Sequence, residues 1–230
     1  MIDIKKRLLN SVPKNLAEIP HIFLAKLKAT NSPQYIEVKL AKWAKQCDCF
    51  NNVSIKIKKS GGKQVLGWAI WQDTYALQAE FHSVWENKNG KLYDITPREF
   101  EGEKLYYSQI VFVRDDNAIY KGELVNNIRM NLSNNPLVDD ILVLCDFLYY
   151  LMKIELKPTS QDDLESLNKK ANILYGFINK HIAMLHIMID KEQTIDSLCF
   201  CNSRKEYKKC HGYQLKETLT KLCKELFECE

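Results

Sequence analysis

No stretch of the 230-residue chain approaches the roughly 20 consecutive apolar residues that a membrane-spanning helix requires. The opening "MIDIKKRLLNSVPKNL" has neither the apolar core nor the small-residue cleavage site of a secretory signal. A cytoplasmic location is therefore expected, with export as an effector lacking a cleavable signal as the alternative. Strong charge of one sign is missing as well. The 33 basic and 29 acidic residues leave a formal net charge of +4, too mild to imply a nucleic-acid partner from totals alone. The sequence shows no internal repeat and no low-complexity segment.

What is present is an ordinary globular composition, 46% hydrophobic and 27% charged, enough for one large domain or one domain with an appendage. Eight cysteines stand out. Cys47 and Cys49 form one group and Cys199, Cys201 and Cys210 another, while Cys145, Cys223 and Cys229 stand alone. In a reducing compartment, clustered cysteines point to metal or catalysis rather than to disulfides.

Apolar spacing predicts a helix over 14–29, whereas 33–46 reads equally as strand or helix. A helix is expected from Asp48, as N-cap, to Ser60, ended by Gly61-Gly62 and with Cys49, Val53 and Ile57 on one face. Strands are expected at 64–71, 77–85, 91–96 and 109–114, with "NKNG" joining the middle pair as a hairpin. Beyond the polar stretch 126–136, two long helices are expected at 137–154 and 162–189, the second opened by a capping box of Ser160 and Asp163. An amphipathic helix fits 213–228. The fold class is α+β: a Cys-headed helix packed on an antiparallel sheet (1–125), a helical segment (126–195) and a small C-terminal knuckle (196–230). Trp68, Trp71, Trp85 and Tyr75 are expected in the core, and His181 and His186 as structural residues.

The knuckle reads "CFCNSRKEYKKCHG". Cys199, Cys201, Cys210 and His211 offer three thiolates and one imidazole, a set suited to tetrahedral zinc. Four protein ligands leave no open position, so the metal would be structural and supply folding energy to a segment too short for its own core. A disulfide with a bystander histidine is the plain alternative. The stretch resembles the SEC-C motif, the zinc-binding tail of the SecA translocation ATPase. The shared features are Cys199-x-Cys201, Ser203, Lys205, Tyr207, Lys208 and Cys210-His211-Gly212. The Gly usually found before Ser203 is here Asn202, which also tolerates left-handed backbone. The resemblance implies a protein partner for the basic residues Arg204, Lys205, Lys208 and Lys209. A merely solvated face is the competing reading, and nucleic acid is a third that rests on these residues alone.

Upstream, a cysteine in the first helical turn has its thiolate favoured by free N–H groups. Cys49 occupies that place, and a hairpin centred near Lys88 would set His82 opposite Asp94, provided the register does not slip. Nucleophile, base and orienting acid are the parts of a triad. The order Cys, His, Asp, with "HSVW…GKLYDITP", resembles the transglutaminase-like branch of papain-like enzymes. The resemblance implies Cys49 as nucleophile, His82 as general base and Asp94 as its partner. The same stretch resembles the N-terminal part of bacterial proteins carrying a SEC-C tail. Gln46 or Asn52, beside the Cys49 N–H, are the oxyanion candidates. Three other readings compete: packing residues throughout, a non-catalytic zinc-dependent adaptor, or a metal held by Cys47 and Cys49 with His82 or Glu80.

Overall fold

The computed structural model describes residues 11–100, 103–155, 161–213 and 215–227. The chain divides into two compact units, residues 1–130 and 131–230. The boundary falls within the polar stretch 126–136.

In the first unit, Pro20 interrupts the helical spacing expected over 14–29. Proline lacks an N–H and disfavours helical backbone in the residue before it. A single 3-10 turn (Leu16–Glu18) and the short helix α1 (His21–Leu27) result. The ambiguous stretch after it is a strand, β1 (Gln34–Val38), followed by irregular chain. Helix α2 (Cys49–Ser60) starts after Asp48 and stops at Gly61, whose φ of +69° suits a residue without Cβ. Asp48 occupies the N-cap position without the expected side-chain cap bond; its carboxylate instead accepts from the Asn51 amide at 3.0 Å.

The strands that follow are β2 (Lys63–Gln72), β3 (Ala76–Glu86), β4 (Leu92–Asp94), β5 (Arg98–Phe100), β6 (Glu103–Leu105), β7 (Gln109–Arg114) and β8 (Ile128–Asn131). Strand order is β2-β7-β1-β4-β3-β8, and β2 also pairs with β3, so five strands close into a ring with β8 at its side. Antiparallel pairing dominates as expected, but β1 and β4 run parallel. Closure leaves those five strands no free edge except beyond the paired stretches.

Alternation along each strand sorts side chains between the two faces. Val65, Ala69 and Trp71 of β2 meet Ile36, Val84, Leu92, Ile110 and Phe112 in one cluster. The opposite faces, Trp68, Ile70, Leu77, Ala79, Val111 and Val113, pack beneath Ile19, Phe23 and Leu27 of the N-terminal helical segment. Helix α2 packs against β3 and β2, and its Val53 is buried with Tyr93 and Ile95.

In the second unit the two expected long helices are α3 (Pro136–Glu155) and α4 (Gln161–Asp190), packed against one another, and the terminal helix α5 (Leu215–Phe227) touches both. Ser160 of the expected capping box lies outside the described residues. Leu174, Ile178, His181, Leu185 and Met188 recur at three- and four-residue spacing along α4 and are all buried. Among the described residues, no helix is long and apolar enough to cross a membrane.

Candidate functional site

The period-two alternation of β3 places Gln78, Glu80 and His82 on one face. Gly67 lies across from His82. A Cβ there would come within 2.1 Å of the Val113 carbonyl oxygen and 2.8 Å of the Phe112 ring, so only glycine lets β7 approach β2 at this level. His82 is 1% exposed and Asp94 is fully buried.

The hairpin brings these two together by a different register from the one expected. Asn87 Oδ1 accepts the N–H groups of Asn89 and Lys91, and Gly90 turns with φ +79°. Trp85 therefore faces Tyr93 and Glu86 faces Leu92. Continued, that register sets Val84 opposite Asp94, and His82 is a diagonal neighbour rather than a direct one. The turn centre moves by one residue, which shifts pairing by two and preserves the face. A diagonal pair is still within reach of long side chains. His82 Nε2 lies 3.1 Å from Asp94 Oδ1.

The carboxylate is held from three sides. Oδ1 also accepts the Thr96 N–H at 3.0 Å, and Oδ2 meets Arg98 Nη1 at 2.5 Å. Burial alone would push Asp94 up; His82, Arg98 and the Thr96 N–H reverse this and hold it well below the usual carboxylate range. Burial likewise opposes charge on His82, but the Asp94 carboxylate overcomes it and raises the ring to about 10. Arg98, whose guanidinium lies 4.5 Å over the Trp71 ring, is pushed up mainly by Asp94 and Glu80 against the opposing effect of burial. The sequence reading missed Arg98, although its i,i+4 spacing from Asp94 in "DITPR" is plain afterwards.

Cys49 stands in the first turn of α2 and is 7% exposed. Its thiol is close enough to add to the basicity of His82. The other ring nitrogen, Nδ1, is buried and has no formed hydrogen bond. Cys49 and His82 both line a cleft of about 430 Å³, with Gln46, Glu80, Arg98 and Trp71 among its walls. Asp94 is not among the lining residues. The arrangement therefore has a thiol beside a basic ring, and a buried acid on the ring's far nitrogen.

Of the two expected oxyanion side chains, only Gln46 lines the cleft, with its amide donating to the Glu99 carbonyl at 2.9 Å. Asn52 is a clamp instead. Its Oδ1 accepts the Lys45 N–H at 3.0 Å, and its Nδ2 donates to the Lys45 carbonyl and to Thr96 Oγ1. Among the described residues, Cys47, Cys49 and His82 do not form a group that could hold a metal ion.

The second site lies in the second unit. Cys199, Cys201, Cys210 and His211 offer ligand atoms that all lie within 4.8 Å of one another. Cys199 Sγ is 3.2 Å from His211 Nδ1, Cys201 Sγ is 3.4 Å from Cys210 Sγ, and Cys210 Sγ is 3.5 Å from His211 Nδ1. A zinc tetrahedron built from ordinary bond lengths has edges of roughly 3.5 to 3.8 Å, so the donor set and spacing fit such an ion. The backbone prepares this convergence. Asn202 and Arg204 take left-handed φ of 60° and 59°, Cys199 N–H donates to the Lys205 carbonyl, and Cys210 N–H to that of Tyr207.

Tyr207 anchors the loop to the helices. It is fully buried, its hydroxyl lies 3.1 Å from His181 Nε2 on α4, and Asp140 of α3 also bonds it. Burial and the Asp140 carboxylate both push the phenol up, and burial pushes His181 down to about 4. Gly212 N–H donates back to the Tyr207 carbonyl, and a Cβ at Gly212 would sit 2.6 Å from the tyrosine ring. The basic residues divide into two kinds. All four are exposed, but Lys208 pairs with Asp196 and Lys209 with Glu206 at 2.9 Å, whereas Arg204 and Lys205 form no such pair among the described residues.

Neither a curated protein nor a solved structure matches the chain. A family description does match part of it, over the loop in which the four ligands converge around Tyr207: residues 197–212 are a SEC-C motif.

Proposed function

We propose that the protein is a zinc-stabilised SEC-C protein whose first unit is a transglutaminase-like thiol enzyme, transferring acyl groups from a carboxamide or peptide. The observation that carries this reading is His82, fixed through Nε2 by Asp94 and presenting an unbonded Nδ1 beside Cys49 in an open cleft. A ring raised to about 10 holds its proton across the neutral range, so it faces the Cys49 sulfur as a cation and has a proton ready for the leaving amine. Cys49 sulfur attacks the carbonyl carbon, forming a C–S bond while the oxygen takes up negative charge. The Cys49 N–H, with the Gln46 amide on the cleft wall, would receive that charge. The C–N bond then breaks, and the amine leaves with the proton held by His82. Water or a second amine, deprotonated by His82, cleaves the thioester and restores the thiol. Asp94, with Arg98 and Thr96 behind it, keeps the ring oriented throughout.

Cys199, Cys201, Cys210 and His211 would hold the zinc, which would fix the fold of the knuckle and leave no ligand position for chemistry. A second reading, a non-catalytic adaptor that recruits a protein partner, draws support from the exposed Arg204 and Lys205 and the neighbouring Leu198 and Tyr213, 65% and 62% exposed.

Peptide-resolved alkylation separates the two. With iodoacetamide at about pH 6.5, Cys49 should react first among the buried cysteines, and His82→Gln should slow it by about a hundredfold. A Cys49 that resists alkylation, or reacts alike in both proteins, sinks the enzyme reading. The same preparations should carry one zinc per chain, lost in Cys210→Ser.

A further inference from the structure

The thiol reading leaves Glu80, the acid of the cleft wall beside His82, without a role. Glu80 lies two residues from His82 on the same face of β3, and its side chain is 41% exposed. One of its oxygens is occupied: Oε2 accepts the Trp71 indole N–H at 3.0 Å and faces Arg98 Nη2 at 3.6 Å. The other is not. Among the described residues no hydrogen bond reaches Oε1, and its nearest cation is His82 Nδ1 at 3.9 Å. That nitrogen is itself buried and unbonded, on the wall of the same cleft. A carboxylate is thus pinned by one oxygen with the other turned toward the reacting groups. The Trp71 bond would be met by a neutral amide, so the charge of Glu80 serves the Arg98 guanidinium on one side and the cleft on the other.

The remaining charges of the cleft point the same way. Glu99 also lines it, while Arg98, the one Lys or Arg lining it among the described residues, is turned onto Asp94. We infer that Glu80 is the specificity residue of this site, and that the substrate carries an alkylammonium or guanidinium group next to the acyl carbon, received by Glu80 Oε1. This rests on the thiol reading above. A lysine-like amine at hydrogen-bonding distance from Oε1 would put its neighbouring atoms beside Cys49 and His82, and an anionic substrate would meet repulsion from Oε1 there.

Small methanethiosulfonates of different charge test this without knowledge of the substrate. Their rates at Cys49 are followed by peptide-resolved mass spectrometry in a Cys47→Ser background. The cationic aminoethyl reagent and the anionic sulfonatoethyl reagent are each referred to the neutral methyl reagent on the same protein. The cation should be preferred, and Glu80→Gln, which keeps the Trp71 bond, should cut the cation-to-anion ratio by about tenfold. A ratio that stays within about twofold overturns the role of Glu80. If the variant fails to fold, a salt titration of the Cys47→Ser protein decides, because a ratio set by Glu80 must fall as salt rises and an insensitive one overturns the inference. The neutral reagent keeps the two ideas apart. If its rate is indifferent to His82→Gln, the thiol site itself is refuted, whereas an unchanged charge ratio with a His82-dependent neutral rate refutes Glu80 alone.

Discussion

Asp94→Asn is the sharpest perturbation of the first unit, because the buried Asp94 carboxylate bonds two cations at once. His82 and Arg98 both bond it directly, whereas Glu80 stands farther off, 3.9 Å from the His82 ring and 3.6 Å from the Arg98 guanidinium. Removing one partner of a buried pair costs about 3–5 kcal/mol. The raised His82 pKa, from 6.5 to about 10, corresponds to a similar figure of roughly 5 kcal/mol at full strength.

The sign of the pH dependence follows from the two shifts. His82 binds its proton more tightly when folded, so its contribution is complete below about pH 6.5 and fades as pH climbs through about 10. Asp94 is depressed, so its contribution is complete above its unfolded value of 3.8 and fades as pH falls below it. The gap between the native protein and the variant should therefore be widest between about pH 4 and 6.5 and should shrink steadily toward pH 10. All four tryptophans, Trp43, Trp68, Trp71 and Trp85, lie in the first unit, so their fluorescence follows its unfolding selectively. A loss of about 4 kcal/mol in a unit of this size lowers the midpoint by roughly 10–15 °C. A gap under about 1 kcal/mol, or one that stays flat from about pH 5 to 10, would refute the ion-pair account.

Two further outcomes follow from close contacts. Gly212→Ala would drive a methyl group to 2.6 Å from the Tyr207 ring, so the second unit should lose about 1–3 kcal/mol and bind zinc at least tenfold more weakly in chelator competition; an unchanged affinity would show that Tyr207 does not set the ligand geometry. Asn52→Ala removes three hydrogen bonds that tie Lys45 and Thr96 to α2, so urea titration should show a loss of roughly 2–4 kcal/mol, and near-native stability would contradict the clamp role.

The parts of the fold that were legible in the sequence are those with local causes. Asp48 and Gly61 bracket α2 because their backbone demands are met within a turn, and alternation places β2, β3 and β7 within a residue or two of where they stand. Asn202 turns left-handed where glycine is usual, as its short amide permits. The closure of β2 onto both β3 and β7 was not legible, nor was the parallel pairing of β1 with β4. Both depend on which distant strands share a core, and β-patterning alone does not encode partners.

The two candidate sites differ in legibility for the same reason. The four knuckle ligands lie within thirteen positions of one another, and metal spacing is a local property, so the motif is visible as a string. The cleft instead draws Cys49 from a helix, His82 from a long strand and Asp94 from the strand after a turn, and its electrostatics are completed by Arg98, which reads in isolation as a solvated charge beside Pro97. Yet "DITPR" is one physical unit: Asp94 accepts from the Thr96 N–H and from the Arg98 guanidinium, so the segment folds back on its own carboxylate. A turn former has no need of two internal cations' worth of bonding to a fully buried acid. The desolvation of Asp94 is offset only because His82, Thr96 and Arg98 arrive together, which makes the orientation of the His82 ring a consequence of how the chain turns after β4.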